Sequence, residues 1–389
     1  MIYLDYAATT PISDTALAVY AEVARRRFGN PNSLHDAGSA ADEVLSQCRR
    51  QLAGLLNADP RGMYFTGSGS EANLLAVCSL AFGNRHRGNH VITTPVEHPS
   101  NRQAFQLLEK AGFEVTHVPV DRYGRVRLDA LEKALTPRTI LVSVVAAQPE
   151  IGTVQPMEAI GRLLSEKGVL FHSDAVQAFG HMPLDVRRLR LHSVSLSSHK
   201  VYGPKGMGAV YIDPGVPWKS VFPHTTQENG FRAGTVDVAG AAAFAAAATE
   251  TAERMTEETI RLRTLRDRLL SGLRALGRSV VLEGHPTERM PHHLALRFPG
   301  IEGQLLMLEL NRRGIAVATG TACRKGQNEP SPAMLAVGRT PSEAGELIRI
   351  TVGRHTTPDE IDRTLAAFAQ VLESLPSVAN RSATARRSS

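Results

Sequence analysis

Residues 197–206 read Ser197-Ser198-His199-Lys200-Val201-Tyr202-Gly203-Pro204-Lys205-Gly206 and follow the β-type run Ser193-Val194-Ser195-Leu196. This order places a lysine where a strand ends and a Gly-Pro loop begins. Open α/β sheets bind their ligands at the carboxyl ends of the strands. A partly desolvated lysine there can lose its proton and form a Schiff base with a carbonyl cofactor. The same stretch also fits a surface turn with two solvated lysines, so its interpretation depends on other segments.

Strand and helix patterns alternate ahead of this stretch. Apolar residues at helical spacing predict helices at 14–28, 39–56, 71–82, 100–111, 128–135 and 156–166. Short β-type runs predict strands at 63–66, 90–94, 114–118, 139–146, 169–172 and 193–196. The β-branched run at 139–146 suits a strand buried on both faces of its sheet. The alternation predicts an α/β fold with a mostly parallel sheet covered by helices.

A smaller second domain is expected after this sheet. An alanine-rich run at 236–248 passes into a charged helical pattern, and we place the domain junction along that helix. This division predicts a large domain at 13–250 and a small α+β domain built from 1–12 and 251–376. The small domain has predicted strands near 280 and at 294–296, 315–318 and 348–352, and predicted helices at 303–311 and 358–375. Residues 377–389 are rich in Ser, Ala and Arg without apolar periodicity, and are predicted to be disordered.

The composition is that of an ordinary globular protein, with 42% hydrophobic and 21% charged residues. Half of the net charge of +6 comes from arginines in the final segment, so nucleic-acid binding is not expected. No secretory signal is seen at the start, and no apolar run approaches the roughly 18 residues that cross a bilayer. The three cysteines cannot all pair and form no CxxC pattern, so no metal site is expected and a cytoplasmic location fits best.

Two further segments suit a cofactor that carries a phosphate and a pyridine ring. Thr66-Gly67-Ser68-Gly69-Ser70-Glu71-Ala72-Asn73 lies between a predicted strand and helix, where N–H groups and hydroxyls can approach a phosphate. A simple tight turn is the alternative. Asp174, at another strand end, is a candidate partner for a pyridinium nitrogen, and a helix cap is its alternative role. A lysine, an aspartate and a Gly/Ser turn together predict a pyridoxal phosphate site.

Three other residues are candidates for chemistry. His98, in Val96-Glu97-His98-Pro99, offers a ring that could stack on a cofactor and shuttle protons, or could simply cap the next helix. Cys323 lies in a polar loop beside Arg324 and Lys325, which favour a thiolate. Arg349, on an alternating strand, is a candidate clamp for a substrate carboxylate, with a surface salt bridge as its alternative role.

With these residues assembled, the sequence closely resembles the cysteine desulfurases of the NifS/IscS type in the class V aminotransferase superfamily. The resemblance extends from Ile2 to about Asp362. Its most specific segments are LDYAATTP at 4–11, FGNPNS at 28–33, the Ser-x-His-Lys-x-Tyr-Gly-Pro-Lys-Gly block, RAGT at 232–235 and the cysteine loop. It implies the fold of type I pyridoxal phosphate enzymes, with a seven-stranded, mostly parallel sheet in the large domain.

The resemblance also implies roles for individual residues. Lys200 would form the Schiff base, Asp174 would pair with the pyridine nitrogen, Gln177 would lie near the phenolic oxygen, and His98 would stack on the ring. The phosphate would be held by Gly69, Ser70, Ser197 and His199, with Thr235 reaching the phosphate of a neighbouring subunit in a homodimer. Arg349 would bind the carboxylate of L-cysteine, and Cys323 would take its sulfur as a persulfide, release L-alanine, and deliver the sulfur to an acceptor protein.

The chain departs from the pattern of the family at several positions. Gln148-Pro149-Glu150-Ile151-Gly152 stands where the family usually has Asn-Asn-Glu-Ile-Gly, and the first Asn normally contacts cofactor and substrate. Pro149 removes a backbone donor and stiffens the turn. Ser70 replaces a common threonine, His292 a usual asparagine, and Arg324-Lys325-Gly326 small polar residues. These departures suggest a desulfurase dedicated to one sulfur pathway rather than to general iron–sulfur supply.

Three alternative functions remain compatible with the sequence. A selenocysteine lyase or another C–S lyase of the same fold would act without a persulfide on Cys323. A class V aminotransferase would use a keto-acid acceptor and form no persulfide. A catalytically silent sulfur-carrier scaffold would be explained by the change at Gln148-Pro149.

Overall fold

The computed structural model describes residues 1–320 and 330–375 of the 389-residue chain. Its helices are α1 Asp14–Arg26, α2 Asp36–Leu55, α3 Gly69–Gly83, α4 Pro99–Lys110, α5 Leu128–Ala134, α6 Met157–Glu166, α7 Val238–Ala275, α8 Gly303–Arg312, α9 Pro332–Ala336, α10 Pro341–Gly345 and α11 Pro358–Ser374. Its strands are β1 Ile2–Tyr3, β2 Met63–Thr66, β3 His90–Thr93, β4 Glu114–His117, β5 Thr139–Ser143, β6 Leu170–Asp174, β7 Ser193–Ser197, β8 Gly208–Ile212, β9 Val281–Leu282, β10 His293–Arg297, β11 Ile315–Ala316, β12 Ala318–Thr319 and β13 Leu347–Thr351. Within these residues, no helix has both the length and the apolar character needed to span a membrane.

A seven-stranded sheet forms the larger part of the molecule, with strand order β2-β8-β7-β6-β5-β3-β4. Strands β3 to β7 are parallel where they pair, and β8 is antiparallel to both of its neighbours. The predicted mostly parallel, seven-stranded sheet is therefore confirmed. Asp174 at the end of β6 pairs with Ser195 of β7, so these two strands bring their carboxyl ends to one edge of the sheet.

Both faces of this sheet are buried. In β6, Leu170 packs in the apolar cluster that contains α3 and α4, while Phe171 packs in the cluster that contains α2, α6 and α7. Leu141 and Val142 of β5 divide between the same two clusters. This explains why β5 is apolar along its length rather than alternating. Burying one such side chain stabilises the fold by about 1.5–3 kcal/mol. Burial of both faces therefore stabilises the sheet and the residues at its edge.

A second sheet, with strand order β12-β13-β10-β9, is antiparallel and has its own apolar cluster. That cluster also contains Ile2 and Leu4 from the start of the chain and residues of α8 and α11. Helix α7 belongs to both cores, because Phe244 packs in the first and Leu269 in the second. These separate cores support the proposed division into a large domain and a small one.

The structure corrects the prediction of one strand at 315–318. The segment forms two strands in different sheets: Ile315 pairs with Ile2 of β1, and Ala318 pairs with Arg349 of β13. An apolar run indicates that a segment is buried. It does not indicate that residues of the same run pair with strands of different sheets. Strands β1 and β8 lie outside the predicted elements, and so do helices α9 and α10. These two helices have five residues each and are too short to show a helical period.

Candidate active site

Lys200 ends a short 3-10 turn, Ser198–Lys200, that follows directly on β7. Its Nζ donates hydrogen bonds to the carbonyl oxygen of Ala7 at 2.6 Å and to that of Ala8 at 2.8 Å. The side chain is half-buried. The lysine therefore lies at the carboxyl end of a strand, as predicted, and two main-chain carbonyls orient its amine.

These carbonyls belong to residues 5–10, which we call the N-terminal strap. The strap contacts three more of the predicted site residues. The carbonyl of Ala7 also accepts a hydrogen bond from Nε2 of Gln177 at 2.9 Å, and the Thr9 hydroxyl lies 3.1 Å from Nδ1 of His199. The carboxylate of Asp5 pairs with Arg349 at 2.8 Å. A segment from the start of the chain thus forms one wall of the site.

The opposite wall contains Asp174, which is buried at the end of β6. Its Oδ2 accepts a hydrogen bond from Nδ2 of Asn73 at 2.7 Å, and its Oδ1 accepts one from the backbone N–H of Val176 at 3.0 Å. Two donors from different segments therefore fix both oxygens of the carboxylate.

His98 occupies the N-cap position of α4 and lies near both walls. Its Nδ1 is 2.7 Å from the Ser100 hydroxyl. Burial lowers the pKa of His98; the charge of Asp174 opposes this shift and the charge of Lys200 adds to it. The imidazole is thus neutral at pH 7. Asp174, Lys200 and His98 lie within electrostatic range of one another, as a common site requires.

The start of α3 forms the candidate phosphate end of the site. Ser68 caps this helix, Gly69 is its first residue and the exposed Ser70 is its second. A Cβ at position 69 would lie 2.9 Å from the Cβ of Ser197 at the end of β7, so glycine is what allows this close approach. Free N–H groups at a helix start, with hydroxyls beside them, form a site for an anion.

His199 flanks this end of the site. Burial lowers the pKa of its imidazole to about 4, and the charges of Lys200 and Lys205 contribute to the shift. The ring is therefore neutral at physiological pH and can serve as a hydrogen-bond partner rather than as a cation.

Arg349, on β13 of the small sheet, lies against the other end of the strap. It is buried, and its Nη1 donates to the carbonyl oxygen of Pro149 at 3.1 Å while its Nη2 pairs with Asp5. Its Nε has no hydrogen-bond partner among the described residues. Two partners, Asp5 and Pro149, thus fix this buried guanidinium beside the strap.

Gln148 is buried, and its side chain serves its own turn. Its Oε1 accepts hydrogen bonds from the backbone N–H groups of Glu150 at 2.5 Å and Ile151 at 2.8 Å. Its Nε2 is 3.4 Å from the carbonyl oxygen of Val96. The amide thus closes the turn that contains Pro149, and the contacts of Gln148 with cofactor and substrate stay a prediction.

Thr235 lies apart from these residues in the single chain. Its side chain is exposed and lines a hollow with Asn32, Arg49 and Asn229. Nearby Arg232 pairs with Glu71 of the first turn of α3 at 3.1 Å, so the segment is tied to the candidate phosphate end.

Cys323 and the predicted tail at 377–389 lie outside the described residues. The two described cysteines are buried, and burial raises the pKa of Cys48 to about 11 and that of Cys78 to about 12. Neither thiol is a nucleophile at neutral pH. Cys48 lies in the large apolar core, where it packs as a small hydrophobic residue. The part of the chain that the structure describes contains no cluster of three or more metal-ligating side chains.

Sequence reasoning missed Asn73, Glu97 and Ser100 as parts of the site, and it gave the strap no role. A signal existed for Asn73, which is a polar residue in the mostly apolar α3. No comparable signal exists for Ala7 and Ala8, because any residue type can supply a main-chain carbonyl.

The protein has the architecture of an enzyme. Its mostly parallel α/β sheet carries a lysine, a carboxylate, a histidine and an anion-binding helix start at its carboxyl edge. The Aminotransferase class-V family description matches residues 2–364. The chain belongs to this family, which includes the cysteine desulfurases and whose members depend on pyridoxal phosphate.

Individual relatives agree with this placement. The NifS protein of Halalkalibacterium halodurans is 45% identical over 379 residues, which cover 96% of this chain and 98% of that protein. The cysteine desulfurase IscS of Clostridium botulinum is 38% identical and covers 96% of this chain and 94% of its own. The solved structure of a NifS-like protein matches with a TM-score of 0.89 at 34% identity, over 96% of this chain and 100% of that one. The resemblance to the NifS/IscS group is confirmed.

Proposed function

We propose that this chain is a pyridoxal phosphate-dependent cysteine desulfurase that converts L-cysteine to L-alanine and retains the sulfur as a persulfide on Cys323. The observation that carries the proposal is the meeting of Lys200, Asp174, His98 and the start of α3 at one edge of the sheet. Relatives that are 38% identical over 96% of this chain are named cysteine desulfurases.

The donor set fits the cofactor. The start of α3, with Gly69, Ser70 and the nearby Ser197 and His199, suits a phosphate. The amine of Lys200 suits an aldehyde, and the carboxylate of Asp174 suits a pyridinium nitrogen. His98 lies within electrostatic range of Asp174 and Lys200, and Gln177 donates to the Ala7 carbonyl that also accepts from Lys200. When bound, the cofactor supplies an electron sink for the substrate carbon atoms.

The chain's own residues supply the remaining chemistry. Arg349 can bind the carboxylate of L-cysteine through its guanidinium and so orient the substrate. Lys200 lies at the edge of the sheet where it can exchange protons with the bound substrate. The Cys323 thiolate attacks the sulfur of the substrate, so the C–S bond breaks as an S–S bond forms. L-cysteine and the thiol of Cys323 yield L-alanine and a Cys323 persulfide, and no outside oxidant or reductant is needed.

The assignment of Cys323 is supported by the burial of the other two cysteines. Cys48 and Cys78 are each inaccessible and have pKa values raised far above neutrality, so they cannot carry a transferable sulfur. Among the three cysteines of the chain, Cys323 remains as the candidate, and the neighbouring Arg324 and Lys325 favour its thiolate form.

We further propose that the protein is a homodimer and that Thr235 contacts the phosphate in the partner subunit's site. The exposure of Thr235 supports this arrangement, because its side chain is accessible to a second subunit. The persulfide would then pass to an acceptor protein.

The test is to incubate the purified protein, loaded with pyridoxal phosphate, with L-cysteine. We expect alanine together with a mass increment of one sulfur atom on the peptide that contains Cys323. The variant Cys323→Ala should form neither a persulfide nor more than a trace of alanine, while Cys48→Ala should retain both. Undiminished cysteine turnover by Cys323→Ala would contradict the persulfide mechanism and indicate a C–S lyase.

A further inference from the structure

Asn73 is a buried residue of α3 whose side chain is committed to two acceptors. Its Nδ2 lies 2.7 Å from Oδ2 of Asp174 and 3.1 Å from Oγ of Ser100. Its Oδ1 has no partner among the described residues. Leaving an acceptor buried without a partner costs about 1–3 kcal/mol. The fold tolerates this cost, and both N–H groups of the amide donate hydrogen bonds.

The orientation of this amide is determined by its neighbours. If the group were turned over, Oδ1 would lie against the carboxylate of Asp174, and two acceptors would face each other. Nδ2 is therefore the atom next to Asp174. Because both of its hydrogens are donated, the Ser100 oxygen must act as an acceptor toward Asn73.

Because the Ser100 oxygen accepts from Asn73, the direction of the hydrogen bond between Ser100 and His98 is also determined. A hydroxyl has one hydrogen, and the Ser100 hydroxyl is free to donate it to Nδ1 of His98 at 2.7 Å. The backbone N–H of Ser100 also points at Nδ1, at 3.3 Å. A nitrogen that accepts two hydrogen bonds carries no proton, so the neutral ring of His98 has its proton on Nε2.

We propose that Asn73 is a positioning residue that holds the carboxylate of Asp174 and, through the Ser100 hydroxyl, reinforces the tautomer of His98 that the Ser100 N–H favours. The two groups that flank the cofactor in the proposed function would then be linked by one amide. His98 carries its proton on Nε2, and Asp174 keeps its second oxygen directed by Val176. This inference rests on the proposed function, since the cofactor is what both groups would serve.

The test uses Asn73→Ala with Asn84→Ala as its control. Asn84 is buried at the other end of α3, donates from Nδ2 to the carbonyl oxygens of Leu80 and Pro217, and has an unpartnered Oδ1. Both variants lose a buried amide of the same helix. We expect Asn73→Ala to raise the dissociation constant of pyridoxal phosphate about 10- to 100-fold, the cost of a lost hydrogen bond to a charged group. Asn84→Ala should bind the cofactor like the wild type, although its melting temperature falls.

Two further variants separate the two arms of the network. Ser100→Ala should lower kcat with little change in the cofactor dissociation constant, because it removes the link to His98 and leaves the hydrogen bond between Asn73 and Asp174 in place. Asn73→Asp keeps the shape of the side chain and should bind the cofactor best at low pH, where the new carboxyl is protonated and can donate to Asp174. As the pH rises, the two carboxylates repel each other and the dissociation constant should increase.

The result that overturns the inference is an Asn73→Ala protein that binds pyridoxal phosphate as tightly as Asn84→Ala does. If Asn73→Ala does not fold, an Asn73→Asp protein whose cofactor affinity has the pH profile of the wild type overturns it equally. A wild-type protein that neither binds the cofactor nor produces alanine would instead refute the proposed function.

Discussion

The two walls of the candidate site are built in different ways. Asn73, Ser100, His98 and Asp174 form a side-chain network whose members come from α3, the start of α4 and the end of β6. The N-terminal strap, by contrast, meets residues far away in the sequence and holds Lys200 through the main-chain carbonyls of Ala7 and Ala8. The first wall depends on which side chains are present, whereas the second depends on where the backbone runs.

This difference predicts how each wall responds to mutation. A single substitution can break the network, because each member has one or two specific partners. A substitution in the strap at Ala7 or Ala8 leaves the carbonyl in place, so this wall must be tested through the side chains that it orients.

The largest effect is expected for Lys200→Ala, which removes the amine that the strap holds. Loss of a group that transfers protons lowers rates by about 100- to 10,000-fold. We expect a fall in kcat of at least that range, measured as alanine formed from L-cysteine. Lys205→Ala, a change at an exposed lysine in the same loop, should retain near wild-type activity. Equal losses in the two variants would show that the strap does not select the functional lysine.

An intermediate effect is expected for Arg349→Gln, which breaks the contact between the strap and the small sheet. The substrate carboxylate loses a charged donor, so KM for L-cysteine should rise about 10- to 100-fold. Initial rates over a range of cysteine concentrations measure this. The control is Arg312→Gln, at an exposed arginine of the same domain. An unchanged KM in Arg349→Gln would remove Arg349 from the substrate site.

The smallest effect is expected for the buried Glu97, which directly precedes His98 in the sequence. Burial raises the pKa of its carboxyl from 4.5 to about 7, against hydrogen bonds from Val145, Asn101 and Thr94 that lower it. Between pH 4.5 and 7 the folded protein therefore holds a proton that the unfolded chain has lost. The free energy of unfolding should fall as the pH rises through this window, by up to about 1.4 kcal/mol per pH unit.

Urea titrations at several pH values measure this slope. In Glu97→Gln, the contribution of this group should disappear, and the pH dependence of stability between pH 5 and 7 should be flatter than in the wild type. A slope that is the same in both proteins would mean that Glu97 ionises normally inside the fold.

Much of the large sheet could be predicted from the sequence. Its parallel strands are short β-type runs separated by helical patterns, and the antiparallel strand β2 begins and ends at the predicted residues. Lys200 and Asp174 could be found because each follows such a run. The seventh strand, β8, was implied by the family resemblance rather than recognised in its own residues.

The remaining features of the site depend on contacts that no local pattern encodes. Asp5 and Arg349 are 344 positions apart, and nothing in either segment indicates the pairing. The division of 315–318 between two sheets likewise depends on which distant strand each residue pairs with. The turn at Gln148 shows a further limit, because the amide that replaces the usual asparagine is directed at its own backbone.

Helix α7 has a consequence for the autonomy of the two halves. Its 38 residues, about 57 Å in length, contribute side chains to both hydrophobic cores. A cut between the proposed domains would leave each fragment with an uncovered apolar surface. Ile2 and Leu4 reinforce this dependence, since they lie in the core to which α11 also contributes. Neither half is therefore expected to be stable when it is separated from the other.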